Sequence, residues 1–228
     1  MHKLDRSAAV PPESLNDYDY RTKIWKDLKP DCKKALRAAL VQMQGIPDIT
    51  TPDGKEYGLR CAYCECAIRN DGHIEHFRRK NKDHFPELTF TWENLFLACE
   101  SKEHCGHYKD RKEALVYNPD ELIKPDIHDP HDYLYFHSSG WVIPQSGLSH
   151  DDKHRAEETI RVFGLNNDEL PGARVSALKV YRTAILNDLN EIEGWPEGDR
   201  TEYLKAEIES TKWEPYSTTI KHFLLKNS

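Results

Sequence analysis

Four of the six cysteines fall into two close pairs: Cys61-Ala62-Tyr63-Cys64 and, after 34 intervening residues, Cys99 and Cys105. Four thiolates in two pairs suit a closed tetrahedral zinc site, and a C-x2-C turn presents two sulfurs to one ion. The second pair, C-x5-C, is looser. Cys66 and His104 stand near enough in sequence to compete as ligands. A zinc ion here would contribute folding energy to a small polar segment. Clustered cysteines in a chain of this kind point to metal before disulfides.

Between and after these pairs lie Gly72-His73-Ile74-Glu75-His76-Phe77-Arg78, Trp92-Glu93-Asn94-Leu95 and Cys105-Gly106-His107-Tyr108-Lys109-Asp110. Phosphodiester hydrolysis needs an activated water, a Lewis acid on the phosphate and help for the leaving oxygen. A neutral histidine, here His76, is a suitable general base near neutral pH. Glu75 and Asp110 offer oxygen donors suited to Mg²⁺ or Mn²⁺, whereas His107 suits Mn²⁺ or a softer ion. Adjacent strand residues point to opposite faces, so Glu75 and His76 reach one site only where the strand ends or bends. Asn94 would act by positioning, pinning the loop that carries His76. Each element alone is weak, because histidines beside carboxylates are common on surfaces; the ordered set carries the reading. Phe77, Trp92, Leu95 and Leu97 read as core.

The remainder of the chain both supports and opposes a nucleic-acid role. It has 228 residues, 31% of them charged, and a formal net charge of −7. Its mean hydropathy is −0.80 and its pI about 5.9. Phosphate binding favours basic proteins, so this balance requires local positive charge. Residues 69–82 supply it, with Arg69, Arg78, Arg79, Lys80 and Lys82 against Asp71 and Glu75. Arg78, Arg79, Lys80 and Lys109 are the candidate phosphate contacts. No apolar run approaches a membrane span and the first residues lack the apolar stretch of a signal peptide, so a cytoplasmic, prokaryotic protein is expected.

Three regions must position these residues. Residues 1–56 read as an N-terminal helical segment, with helices from about Tyr20 and over Pro30–Gln44. In the latter, Cys32, Leu36, Leu40 and Met43 recur at helical spacing, which makes Cys32 a core residue. Gly45-Ile46-Pro47 ends that helix and Thr51-Pro52-Asp53-Gly54 signals a turn. Residues 57–114 hold the motifs. Residues 115–228 open with short strands from Leu115, include a hairpin of Tyr133-Leu134-Tyr135-Phe136 and Trp141-Val142-Ile143, and turn helical after Asp151. There Leu178, Tyr181, Ile185, Leu189 and Ile192 form an apolar stripe. Packing on the chain's own core explains that stripe more simply than docking of a partner. Gly194-Trp195-Pro196 breaks the helix.

Cys61-Ala62-Tyr63-Cys64-Glu65, Ile74-Glu75-His76-Phe77 and Trp92-Glu93-Asn94-Leu95 through Cys99 resemble the HNH endonuclease superfamily. More narrowly, they are similar to PtuB-like nuclease subunits of Septu and retron-associated anti-phage systems. So are Lys3-Leu4-Asp5-Arg6, Asp129-Pro130-His131-Asp132-Tyr133-Leu134, Gly140-x-Val142-x-Pro144 and Thr159-Ile160 through Asn166 with Leu170 and Arg174. The resemblance implies an α+β fold: a ββα-metal core with a zinc knuckle, flanked by N-terminal and C-terminal helical segments. It implies His76 as general base, Glu75 and a residue near His107 as ligands of a catalytic Mg²⁺ or Mn²⁺, and Asn94 as positioner. The third ligand is open between His107 and Asp110. It also implies a PtuA-like ATPase partner and, in many retron systems, a reverse transcriptase with its small DNA or RNA product. DNA is the default substrate, and structured RNA such as tRNA is open to the same chemistry. Two positions depart from related motifs: Glu75 stands where Asp is frequent, and Gly106 where Asn or His often follows the last cysteine. A zinc knuckle that binds nucleic acid or protein without catalysis is the alternative.

Overall fold

The computed structural model describes residues 1–46, 58–69, 72–114, 116–167 and 169–226. Pro47, the turn signal Thr51-Pro52-Asp53-Gly54, Asp71 and Leu115 fall outside them, as does the side chain of Leu189. The architecture is mixed: helices with two small antiparallel sheets.

The first sheet pairs β1 (His73–His76) with β2 (Leu95–Ala98), His73 opposite Ala98 and His76 opposite Leu95. The β2 sequence, Leu-Phe-Leu-Ala, is apolar on both faces, and all four residues are buried. Its outer edge is blunted by a side chain: the buried Gln44 amide accepts from Leu97 N–H at 2.6 Å and donates to Leu97 C=O at 3.1 Å. A strand edge left unpaired inside a core would cost each orphaned group its hydration.

Gln44 closes α1 (Pro30–Gln44), which packs on β2. Pro30 suits the first helical turn because its missing N–H would be unpaired there anyway. Cys32, Leu36, Leu40 and Met43 turn inward, with Cys32 in the core. No α-helix forms from Tyr20, contrary to the sequence expectation; the chain makes turns and a 3-10 turn, Trp25–Asp27. Asp19 and Asp27 explain the difference. Their carboxylates accept from the backbone N–H groups of Arg21 and Ile24, at 2.9 and 2.8 Å. Short acidic side chains compete in this way with helical hydrogen bonds.

After β2 comes the short helix α2 (Cys105–Lys109). Residues 116–118 are not a strand; Asn118 instead caps a 3-10 turn, Pro119–Glu121, by accepting from Asp120 N–H. The second sheet pairs β3 (Leu134–Phe136) with β4 (Val142–Pro144). Then follow α3 (His150–Val162), α4 (Leu170–Ile192), α5 (Glu197–Ser210) and α6 (Ser217–Lys226). Ile185 and Ile192 of α4 bury against Leu204, Ile220 and Leu224, so the amphipathic face serves intramolecular packing. No helix among the described residues is long and apolar enough to cross a membrane.

Candidate metal and catalytic site

The four paired cysteines converge. Cys61, Cys64, Cys99 and Cys105 are all buried, with sulfur atoms within 4.8 Å of one another. Cys61 Sγ lies 3.7 Å from Cys105 Sγ, and Cys64 Sγ 3.9 Å from Cys99 Sγ. Tetrahedral Zn–S bonds of about 2.3 Å require edges of about 3.8 Å, so the donor set fits a metal such as zinc. Cys66 is not one of the four converging donors and is partly exposed, but its thiol adjoins the sulfurs of Cys61, Cys64 and Cys99. His104 stands just beyond it, Nδ1 3.2 Å from Cys105 Sγ, where a ring N–H would donate to a ligating sulfur. Cys105 takes a left-handed backbone (φ 63°), held by its N–H bond to Phe163 C=O at 2.8 Å. Such a conformation persists where surrounding contacts over-determine it.

Asn94 clasps the loop between the strands. Its Oδ1 accepts from Arg78 N–H at 2.7 Å, and its Nδ2 donates to the carbonyls of Arg78 and Leu88 at 3.0 and 3.2 Å. This loop returns Thr89 to His76, whose Nε2 lies 2.9 Å from Thr89 C=O. A carbonyl only accepts, so Nε2 carries the proton and Nδ1 keeps a lone pair. The ring is 2% exposed, with the Trp25 indole edge-on at 4.5 Å. Burial, and then the nearby Lys80 ammonium, push the His76 pKa down to about 3, so the ring is neutral at physiological pH.

Glu75 points to the other face of β1. Its Oε1 pairs with Lys109 Nζ at 2.9 Å and its Oε2 faces His73 Nε2 at 3.1 Å. Burial opposes its charge, but Lys109 and His73 prevail and hold the carboxyl at about 2. The carboxylate lies against Gly106, where a built Cβ would collide with it. The Lys109 ammonium is a buried hub that also binds Asp110 Oδ1 at 2.6 Å and His76 C=O at 3.0 Å. Burial lowers its pKa, yet the two carboxylates outweigh that and raise it above the ordinary lysine value. Asp110, also bound by Arg79 Nε at 3.1 Å, is shifted upward by burial and by Glu75.

The residues expected to share a catalytic ion are therefore divided. Glu75 and Asp110 meet at Lys109, while His107 lies with His73 and Glu100. The His73 and His107 rings stack at 3.9 Å, and His107 Nε2 is 3.0 Å from Glu100 Oε2. Donor atoms of His73, Glu100 and His107 lie within 4.8 Å of one another, a nitrogen and oxygen set that fits a divalent ion such as Mn²⁺. Sequence reasoning missed His73, although His73 and Glu75 share a strand face at i and i+2. It missed Glu100, Thr89 and Trp25, whose roles depend on the loops that deliver them. Lys109 corrects an expectation: at 1% exposure its ammonium serves carboxylates and does not reach a phosphate backbone. Arg78 pairs with Asp120, Arg79 with Asp110, and Lys80 lies over the Trp25 ring.

No known family's sequence profile matches the chain. Over 119 residues it is 26% identical to a Vibrio cholerae (serotype O1 biovar El Tor) protein named as a candidate HNH endonuclease of retron Vc95. That match takes in 50% of this chain and 55% of the relative, so the chain spans about half the length of the curated relative it matches.

Proposed function

We propose that the chain is a metal-dependent HNH-type nuclease, with β1, β2 and α2 as a ββα-metal core braced by zinc. The observation that carries this reading is the state of His76: neutral, Nε2 committed to Thr89 C=O, and Nδ1 left with its lone pair. A free lone pair on Nδ1 is what a general base needs, and efficient proton transfer from water requires the basicity of His76 to rise from its buried value towards neutrality when substrate and metal bind. The retron HNH name of the relative supports the same reading. A bound Mg²⁺ or Mn²⁺ would polarise the phosphate and stabilise the departing oxygen. His73, Glu100 and His107, whose donor atoms converge, would hold it, with Glu75 bound to His73 behind them. Lys109 fixes the Glu75 carboxylate and, through His76 C=O, the strand end that carries the base. Asn94 keeps the intervening loop closed on Thr89, and so keeps the His76 tautomer. A PtuA-like ATPase partner and a role in retron or Septu anti-phage defence belong to this proposal.

A binding module without chemistry is favoured by one observation, the burial of His76 beneath Trp25. The test offers duplex DNA, single strands and total tRNA with Mn²⁺ or Mg²⁺ to wild type and His76→Ala, each with an ATPase partner. Loss of a general base lowers rates by about 10²–10⁴-fold, and we expect a loss of that size. Equal cleavage by both would remove His76 from the mechanism. Cleavage by neither, with retained binding, would favour the binding module.

A further inference from the structure

An open cleft of about 660 Å³ lies between residues 20–26 and residues 79–82, with Thr89 in its wall. Thr89 carries the carbonyl that orients His76, and Trp25, the indole over His76, forms part of the lining. The cleft is thus the open space next to the buried imidazole. Its charge is opposite to that of the whole chain. Lys23, Lys26, Arg79, Lys80 and Lys82 line it, with Asp110 as the acidic group, in a protein of net charge −7. Asp110 is already bound by Lys109 and Arg79. Lys23, Lys26 and Lys82 are exposed and form no ion pair among the described residues. Concentrated, unpaired positive charge in a concave site attracts polyanions.

Two rings accompany the cations. Tyr20 is 36% exposed with Arg21 over its ring at 5.1 Å, and Trp25 is partly exposed, stacked on Phe90 at 6.0 Å with Lys80 over the ring at 5.9 Å. Alternating cations and aromatic faces suit an unpaired strand, whose bases are free to stack on protein rings while its phosphates meet lysines. The bases of a duplex are already stacked on each other and present no face to Trp25 or Tyr20.

We propose that this cleft binds an unpaired nucleic-acid strand, its phosphates on Lys23, Lys26 and Lys82 and its bases against Tyr20 and Trp25. A strand held there lies next to His76, with Trp25 between its bases and the imidazole. Cleavage of that strand would rest on the nuclease reading; the binding does not.

The test is fluorescence anisotropy of labelled 12-nucleotide DNA and RNA single strands and a 12-base-pair DNA duplex, with the full chain in buffer free of added Mg²⁺ and Mn²⁺. Wild type should bind at least one unpaired strand about 10-fold more tightly than the duplex, and the stronger of DNA and RNA names the sugar. Lys23→Glu with Lys26→Glu should weaken that binding at least about 10-fold and flatten its salt dependence by a slope of about 1.4, two phosphates' worth for a single strand. Both side chains are exposed, so the fold should survive. Tyr20→Ala should weaken single-strand binding without changing the salt slope. Unchanged affinity and slope in the double variant, or tighter duplex binding by wild type, would overturn the proposal. Strand binding here, with no cleavage in the metal-supplemented assay with an ATPase partner, would end the nuclease reading and leave the cleft; cleavage there with charge-insensitive binding here would do the reverse.

Discussion

The two ends of α2 hold two kinds of chemistry four residues apart. Cys105, its first residue, joins three other buried sulfurs in a set with one donor type and no exposed member. Lys109, its last, sits among Glu75, Asp110 and the His76 carbonyl, beside a histidine and carboxylate cluster that is open to solvent. The sulfur end is closed and can only hold an ion. The lysine end is charged, asymmetric and half open, and can exchange a ligand. A closed metal cage gives the short helix a fixed origin, and the side chains at its far end inherit that position.

Removing the sulfur end should cost most. Cys61→Ser or Cys99→Ser should abolish metal retention and cooperative folding, since structural zinc contributes about 10 kcal/mol or more in small domains. Cys66→Ser should keep both. Elemental analysis and circular dichroism would read the difference, and full stability in zinc-free Cys61→Ser would show that the cage is dispensable. At the other end, Lys109→Met leaves the buried Glu75 carboxylate without its lysine, and breaking such a pair costs about 3–5 kcal/mol. Denaturant unfolding should show that loss with the metal content of the sulfur site intact. Adding Glu75→Gln should recover part of it.

The smallest effect is the response to acid. His76 is held down at about 3, and His131 and His222 at about 4, in each case by burial first. Folded values depressed below the ordinary value near 6.5 mean that the unfolded chain takes up protons first as pH falls. Stability should therefore be full above about pH 6.5 and decline gradually towards pH 4. Urea midpoints between pH 7.5 and 4.5 would measure the decline. A midpoint independent of pH would contradict the buried neutral pair His131 and His222, whose Nδ1 and Nε2 lie 3.1 Å apart.

Local pattern made part of this legible. The Cys61 and Cys64 turn, the helix over Pro30–Gln44 and the hairpin around Gly140 each follow from residues a few positions apart. What the pattern could not supply were partners set by loop closure. Gln44 completing the β2 edge, Thr89 returning to His76 and Trp25 covering it link residues 13 to 53 positions apart. Lys109 misled for another reason: a lysine beside arginines reads as a surface cation, and only burial shows that it answers two carboxylates.

Glu75 and Gly106 have a consequence for how this sequence can change. The carboxylate fills the space that a side chain at position 106 would take. A lone Gly106→Asn would crowd the carboxylate, and a lone Glu75→Asp would pull it away from Lys109. Neither position can change alone without a worse site, so the two are physically coupled.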